Sequence, residues 1–155
     1  MRIQVAAVGR LKAGPELDLW TDYTARFRKT GKALGLPEIE LTEVEDRLGK
    51  GMTAEGDLLG RVLPKTAYVV ALDERGQMLT SPEFAALLAG RRDSAQDLSF
   101  VIGGADGIDP VLRDRADLLI SFGKMVWPHM LVRVMLAEQL YRAATILAGG
   151  PYHRA

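Results

Sequence analysis

Apolar positions follow two rhythms along this chain. Arg2–Val8 (RIQVAAV), Ala67–Leu72 (AYVVAL), Leu98–Ile102 (LSFVI) and Leu118–Phe122 (LLISF) are short, nearly unbroken runs, and they read as buried strands. Glu38–Val44 (EIELTEV) alternates strictly, as a half-buried edge strand does. Between these runs the spacing widens to that of a helix. Pro15 opens one in which Leu17, Trp20, Tyr23, Thr24 and Phe27 recur at helical intervals. Arg26, Arg28, Lys29 and Lys32 gather near its carboxyl end, where the helix dipole favours cations. Thr53 is placed to cap a second helix that runs to about Leu63 and stops at Pro64. Ser81, Pro82 and Glu83 form a cap, a first-turn proline and an acid, and start a helix that ends near Arg92. Asp109–Pro110 opens another. The longest runs from about Pro128 to Leu147 and is closed by Gly149–Gly150. The DERGQ stretch after Leu72 reads as a turn.

Strands and helices alternate throughout, which predicts an α/β layer fold with a mostly parallel sheet. With 155 residues, 48% of them hydrophobic, the chain fits one domain spanning residues 1–155. It has no cysteine, which excludes a disulfide framework, a zinc ribbon and a thiol nucleophile, and fits a cytoplasmic setting. The run Ile3–Val8 is broken by Gly9 and Arg10, too early for a signal peptide or a membrane span.

Net charge is zero, so no global attraction to nucleic acid is expected. The distribution is uneven: residues 1–35 carry seven Lys/Arg against three Asp/Glu, residues 36–60 two against seven, and residues 111–155 six against three. Two readings stand. The pattern is ordinary surface scatter, or the two basic ends meet in space and form a local patch.

In open α/β sheets, ligands bind beyond the carboxyl ends of strands. Three strand ends stand out here: Leu72–Asp73, the GGADG stretch Gly103–Gly107, and Phe122–Trp127. GGADG is not the dinucleotide fingerprint, no P-loop motif exists, and no GxSxG elbow is present. Two histidines, His129 and His153, without cysteine, give no metal-binding pattern, so no metal is expected.

The last helix is apolar nearly all round. Its polar residues are Arg133, Glu138, Gln139 and Arg142. Such a helix is buried on more than one side, either inside the monomer or against a second subunit. Glu138 and Arg142 stand four apart, as a helix-surface pair does, while Arg133 or Glu138 facing a pocket is the sharper reading. The chain then ends in PYHRA, an aromatic, an imidazole and a guanidinium where inert residues would serve a mere tail.

VIGGADGI, LISFGKMVWPHMLVRVMLAEQLYRA and the terminal PYHR together resemble the ribosomal RNA large subunit methyltransferase H family, the smallest branch of the SPOUT, or α/β-knot, methyltransferases. The opening MRIQVAAVGRLK is similar too, so the resemblance spans nearly the whole chain, with Leu36–Pro64 contributing little. It implies a C-terminal trefoil knot, S-adenosylmethionine as cofactor, and a homodimer that methylates N3 of a pseudouridine in large-subunit (23S) rRNA on the assembled ribosome. Its motifs put cofactor contacts on Leu72, Gly103, Phe122, Gly123, Lys124, Met125, Val126 and Trp127. Some relatives are expected to have serine at position 123, and the glycine of this chain is expected only to loosen the loop. Tyr152, His153, Arg154, His129 and Glu138 are the catalytic candidates, with the base left open among His153, His129 and Glu138. Arg133, Arg142, Arg26 and Lys29 are candidates for RNA phosphates, as are Arg10 and Lys12. The alternative from another class is a non-catalytic ribosome-binding or assembly factor that keeps the fold.

Overall fold

Alternate residues of the buried strands point into two separate apolar layers, as the two-residue period of a strand requires. Ile3, Val5, Ala7, Val70, Leu98, Phe100, Ile102 and Ile120 face one layer; Ala6, Val8, Val44, Val69, Ala71 and Val101 face the other. The computed structural model describes residues 1–154. Its strands are β1 (Ile3–Val8), β2 (Ile39–Val44), β3 (Tyr68–Gln77), β4 (Leu98–Ile102) and β5 (Leu118–Ile120). They form one five-stranded parallel sheet in the order β2-β1-β4-β3-β5. Helices α1 (Pro15–Gly31), α3 (Ser81–Asp93) and α5 (His129–Leu147) cover the larger layer, and α2 (Met52–Val62) and α4 (Pro110–Arg115) the smaller. Among the described residues, no helix is long and apolar enough to cross a membrane.

A polar seam runs through the smaller layer without an open valence on its central pair. Ser99 donates to Gln4 Oε1 (2.8 Å), and Gln4 Nε2 donates to Thr42 Oγ1 (3.0 Å) and to the Val62 carbonyl (3.1 Å). Three strands and α2 are thereby tied together, at little desolvation cost because each group is satisfied.

Local chemistry moves several expected boundaries. The α3 cap is Thr80, not Ser81: its hydroxyl accepts the Glu83 N–H (3.2 Å) while the Glu83 carboxylate accepts the Thr80 N–H (3.1 Å), a reciprocal capping box. Thr53 does not cap α2, which begins one residue earlier behind Gly51 at φ 93°. The DERGQ stretch is not a plain turn. Leu72 and Gln77 both pair with Ile120 of β5, so residues 73–76 bulge out and the chain returns to the same strand. Gly76 permits this, since a Cβ there would lie 2.6 Å from the Ile120 nitrogen.

After β5 the chain leaves one edge of the sheet, yet α5 begins near the carboxyl end of β1. There Arg133 Nη2 donates to the carbonyls of Val8 (3.2 Å) and Gly9 (3.1 Å). Strand order puts β3 and β4 in between, so residues 121–128 cross the carboxyl ends of both. A knotted thread of the kind the resemblance implies requires a crossing of this sort, and rules of strand adjacency do not propose it.

Helix α5 packs against α1 on one side and α3 on the other, with Leu136, Ala137, Leu140, Ala143 and Ala144 fully buried. Most of its apolar circumference is therefore covered within one chain. Arg133, expected at a phosphate, is instead wholly buried. Its Nη1 binds Glu43 Oε2 at 2.7 Å, and the same oxygen accepts the Leu11 N–H at 2.7 Å. The side chain pins α5 across the end of β1 to β2, and its guanidinium faces protein, not solvent. Replacing Arg133 by Met should cost about 3–5 kcal/mol in denaturant unfolding, because a half-buried carboxylate and two carbonyls lose their donor. Glu43→Gln, whose amide still accepts, should cost less than half of that.

Candidate active site

The carboxyl ends of β3, β4 and β5 converge on a cleft of about 860 Å³. Its walls are Leu72, Ile102, Ile108, Ile120 and Phe122, its floor the main chain of Gly103–Gly107, and its lip Met125, Val126 and Trp127. The size and mainly apolar lining suit a molecule of a few hundred daltons. Met125 and Val126 are 75% and 81% exposed, so the lip holds apolar side chains out over an open cleft. Leu72, Gly103, Phe122, Gly123, Met125, Val126 and Trp127 are thus brought together; Lys124 is exposed and does not line the cleft.

The glycines of the floor answer to the loop itself. A Cβ on Gly103 would stand 2.5 Å from the Gly107 carbonyl oxygen, and Gly107 closes the loop through its N–H to the Gly104 carbonyl (3.0 Å) at φ 87°. Gly123 has φ 119°, where a side chain is strained. Glycine here is thus what the shape of the turn calls for, and not merely a looser residue. That turn is held by Ser121, whose hydroxyl accepts the Gly123 N–H (3.1 Å).

Spacing in the sequence did not single out the charged mouth of the cleft. Asp73 and Arg113 stand 3.7 Å apart there, both largely buried, with Asp106 on the floor loop. The position of Asp73 one residue past a buried run is the only signal of it in the chain. His129 also lines the cleft. Burial, and then the Arg133 charge, push its pKa below the usual imidazole value, so it is neutral at pH 7.

A second cluster lies further along α5. Tyr152 donates to Glu138 Oε1 (3.0 Å), and Arg142 reaches the same oxygen through Nη2 (2.6 Å) and Nε (3.0 Å). Gln139 donates to Glu138 Oε2 (3.0 Å). With both oxygens taken by donors, Glu138 serves as an anchor for the tail and is poorly placed to accept a proton. Arg142 Nη1 lies 3.3 Å from His153 Nδ1; since arginine only donates, Nδ1 accepts and the ring proton sits on Nε2. The Arg142 guanidinium also covers the Tyr152 ring at 4.8 Å, and Tyr152 packs on Tyr141 at 4.7 Å. Arg26 lies over Tyr141 at 5.8 Å while pairing with Asp22. Lys29 and Arg154 are exposed, and Ala155 lies outside the described residues.

Burial, reinforced by the Glu138 carboxylate, pushes the Tyr152 hydroxyl up to about 12. The neutral form is the stabilised one. The stability it contributes is therefore complete below the ordinary phenol value of about 10 and is lost as pH rises through about 12. Phenolate absorbance on alkaline titration should show a late component near pH 12 that Tyr152→Phe removes.

The two clusters share a helix but not a neighbourhood. His129 and Arg142 are separated by about 20 Å along α5 at about 1.5 Å per residue.

Comparison with known proteins comes to the same place. Residues 1–153 match the family model described as "Predicted SPOUT methyltransferase". The chain is 69% identical over 154 residues to the ribosomal RNA large subunit methyltransferase H of Paracoccus denitrificans, with 99% of each chain covered. It is 63% identical over 155 residues to the protein of that name from a Ruegeria species, again with 99% of each covered. Among solved structures it is similar to a probable methyltransferase from Bordetella pertussis, with TM-score 0.54, 12% identity, and 92% and 94% coverage of this chain and that one. A probable methylase family protein from Haemophilus influenzae gives TM-score 0.52 at 9% identity, covering 99% and 70%. At these identities the two structures speak for the fold alone.

Proposed function

The chain belongs to the SPOUT methyltransferase family, and from that premise we propose that it transfers a methyl group from S-adenosylmethionine to large-subunit ribosomal RNA, at N3 of a pseudouridine. The observation that carries the reading is the cleft itself: a glycine main-chain floor with three apolar lip residues, Met125, Val126 and Trp127, held out over it. Adenine is read well by main-chain donors and acceptors in such turns and is flanked well by side chains such as Leu72 and Met125. The close relatives named for rRNA methylation supply the substrate class.

The cofactor, when bound, supplies an electrophilic methyl on a sulfonium. The remaining tasks fall to the chain. Leu72, Gly103 and the Phe122–Trp127 turn hold the donor, and the apolar lip excludes water. The methyl would pass from the sulfonium to N3, its S–CH3 bond breaking as the N–CH3 bond forms, and the N3 proton would go to a base, a role open to the neutral His129 at the cleft. Negative charge would develop on the ring carbonyls as that proton leaves. The His153 Nε2–H and the Arg154 guanidinium are donors suited to it, with the gain that preorganised donors bring. Tyr152 and Arg142, each engaged with the other and with Glu138, hold the tail in place, while the exposed Arg26 and Lys29 offer cations to phosphates.

The protein works as a homodimer in this reading. The separation of about 20 Å along α5 between cleft and tail supports this, because a two-fold partner laid against the first copy brings its own tail to the cleft. A groove of about 560 Å³ beside α5, lined by Leu19, Met78, Phe122 and Met135, gives such a partner an apolar seat. Sedimentation at micromolar concentration should give twice 16.9 kDa, and a clean monomer would remove the shared site. The reaction is tested by incubating ribosomes lacking this methyl with protein and cofactor, then weighing the target rRNA fragment. A gain of one methyl, localised to the pseudouridine, is expected. Cofactor binding without any gain favours the assembly-factor alternative.

A further inference from the structure

The loop that floors the cleft has an outer side, and helix α2 is pressed against it. Gly104, at the start of the loop, faces the Glu55 carboxyl so closely that a Cβ on Gly104 would overlap its Oε2. Gly56, the next residue of α2, faces the end of the loop, and a Cβ there would lie 2.6 Å from the Cβ of Asp109. Two adjacent residues of one helical turn therefore touch the loop at both its ends. Within the loop itself the Gly104–Gly107 bridge is the tie, and it fixes the hairpin's shape without fixing its depth relative to the sheet. Depth matters because Gly103 through Ile108 all line the cleft. Outward movement of the loop translates directly into a wider cleft.

We infer that Glu55 is a positioning residue for the methyl-transfer reaction: its carboxyl, seated against the bare α-carbon of Gly104, sets the depth of the Gly103–Ile108 loop and so the fit of the cofactor. An acid is a costly choice for a simple packing contact. Glu55 Oε2 is buried and makes no well-formed hydrogen bond; burial, then Asp106 and Asp46, disfavour its charge, and only the Gly104 backbone N–H beside it works the other way. A small apolar residue would fill a mere gap at lower cost, but it would not reach Gly104 with a rigid planar group. Glu55 does not itself line the cleft, so its effect on the cofactor passes through Gly104.

The inference rests on the methyl-transfer reading above, and its test separates the two. Glu55→Ala, Gly104→Ala, the double variant and Glu55→Gln are compared with the unmodified protein. Three quantities are read: S-adenosylmethionine affinity by calorimetry, kcat and KM on ribosomes, and hydrogen exchange of the 103–108 amides in cofactor-free protein. Each alanine variant should weaken the cofactor by about 10-fold or more, through KM with kcat at saturation within about 2-fold. In the double variant the new methyl occupies the space the carboxyl left, so affinity should return to within about 3-fold of the unmodified protein, a non-additivity expected only of groups in contact. Glu55→Gln keeps the planar shape and should bind nearly as the unmodified protein does. Loop amides should exchange faster in Glu55→Ala and recover in the double variant. The inference is overturned if Glu55→Ala leaves affinity and exchange unchanged, or if the two single losses simply multiply. If the unmodified protein fails to bind cofactor, the methyl-transfer reading falls, and the exchange measurement still decides whether Glu55 sets the loop.

Discussion

Removing Tyr152–Ala155 lowers methylation of ribosomes by about 100-fold or more, the scale on which acid–base and positioning groups act, while cofactor affinity falls only modestly. The expectation follows from how the tail is held. Tyr152 is bonded to Glu138 and packed at a tilt against Tyr141, and His153 is oriented by Arg142. These contacts fix the direction of the last residues, and none of them touches the walls of the cleft. Loss of the tail therefore removes donors aimed at substrate and leaves the cofactor's seat in place. Rates measured at saturating cofactor decide the matter: near-normal methylation by the truncated protein would make the tail a stabilising strap for α5 and nothing more. Tyr152→Phe, which keeps the tilted ring contact with Tyr141 and loses the bond to Glu138, should fall between the two.

Gly103→Val abolishes S-adenosylmethionine binding, with affinity reduced by about 100-fold or more. The cause lies in the loop itself and not in a side chain colliding with the ligand. A Cβ at this position meets the Gly107 carbonyl at 2.5 Å, so the loop opens before any ligand arrives, and overpacking of this kind costs about 1–3 kcal/mol in stability as well. Calorimetric titration gives the affinity and thermal unfolding the stability. A variant that melts a few degrees lower and binds no cofactor agrees with this account. Unchanged affinity would remove Gly103 from the site.

The buried strands were legible in the chain because apolar runs in a doubly covered sheet need no partner to be recognised. Leu98–Ile102 appears where its pattern puts it, and the half-exposed Glu38–Val44 segment lies at an edge, one residue shorter. The three strand-end turns were legible as places because ligands bind beyond the carboxyl ends of strands in an open α/β sheet, and each of three buried runs stops in such a turn. Long-range contacts were not legible. Nothing near Arg133 in sequence shows that it reaches Glu43 and the end of β1, so its charge suggested a phosphate. Nor does the apolar circumference of α5 distinguish α1 and α3 from a second subunit. The Asp73–Gly76 bulge was missed because a turn and a return to the same strand use the same residues. Glu55 drew no notice in a stretch that carries little resemblance, since its meaning lies in a glycine 49 positions away (104 − 55).

The crossing of residues 121–128 over the ends of β3 and β4 also sets a schedule for biosynthesis. Everything needed to complete the cleft and cover the larger core comes last: β5, the crossing segment and α5 occupy residues 118–147. At roughly 5–20 residues per second, synthesis of these residues takes about 1.5–6 s. During that interval Leu98 and Phe100 lack the helix that will bury them, and the walls of the cleft are unassembled. The nascent protein is therefore unable to hold a cofactor in this cleft until residues 118–147 have been made and the last helix has crossed into place.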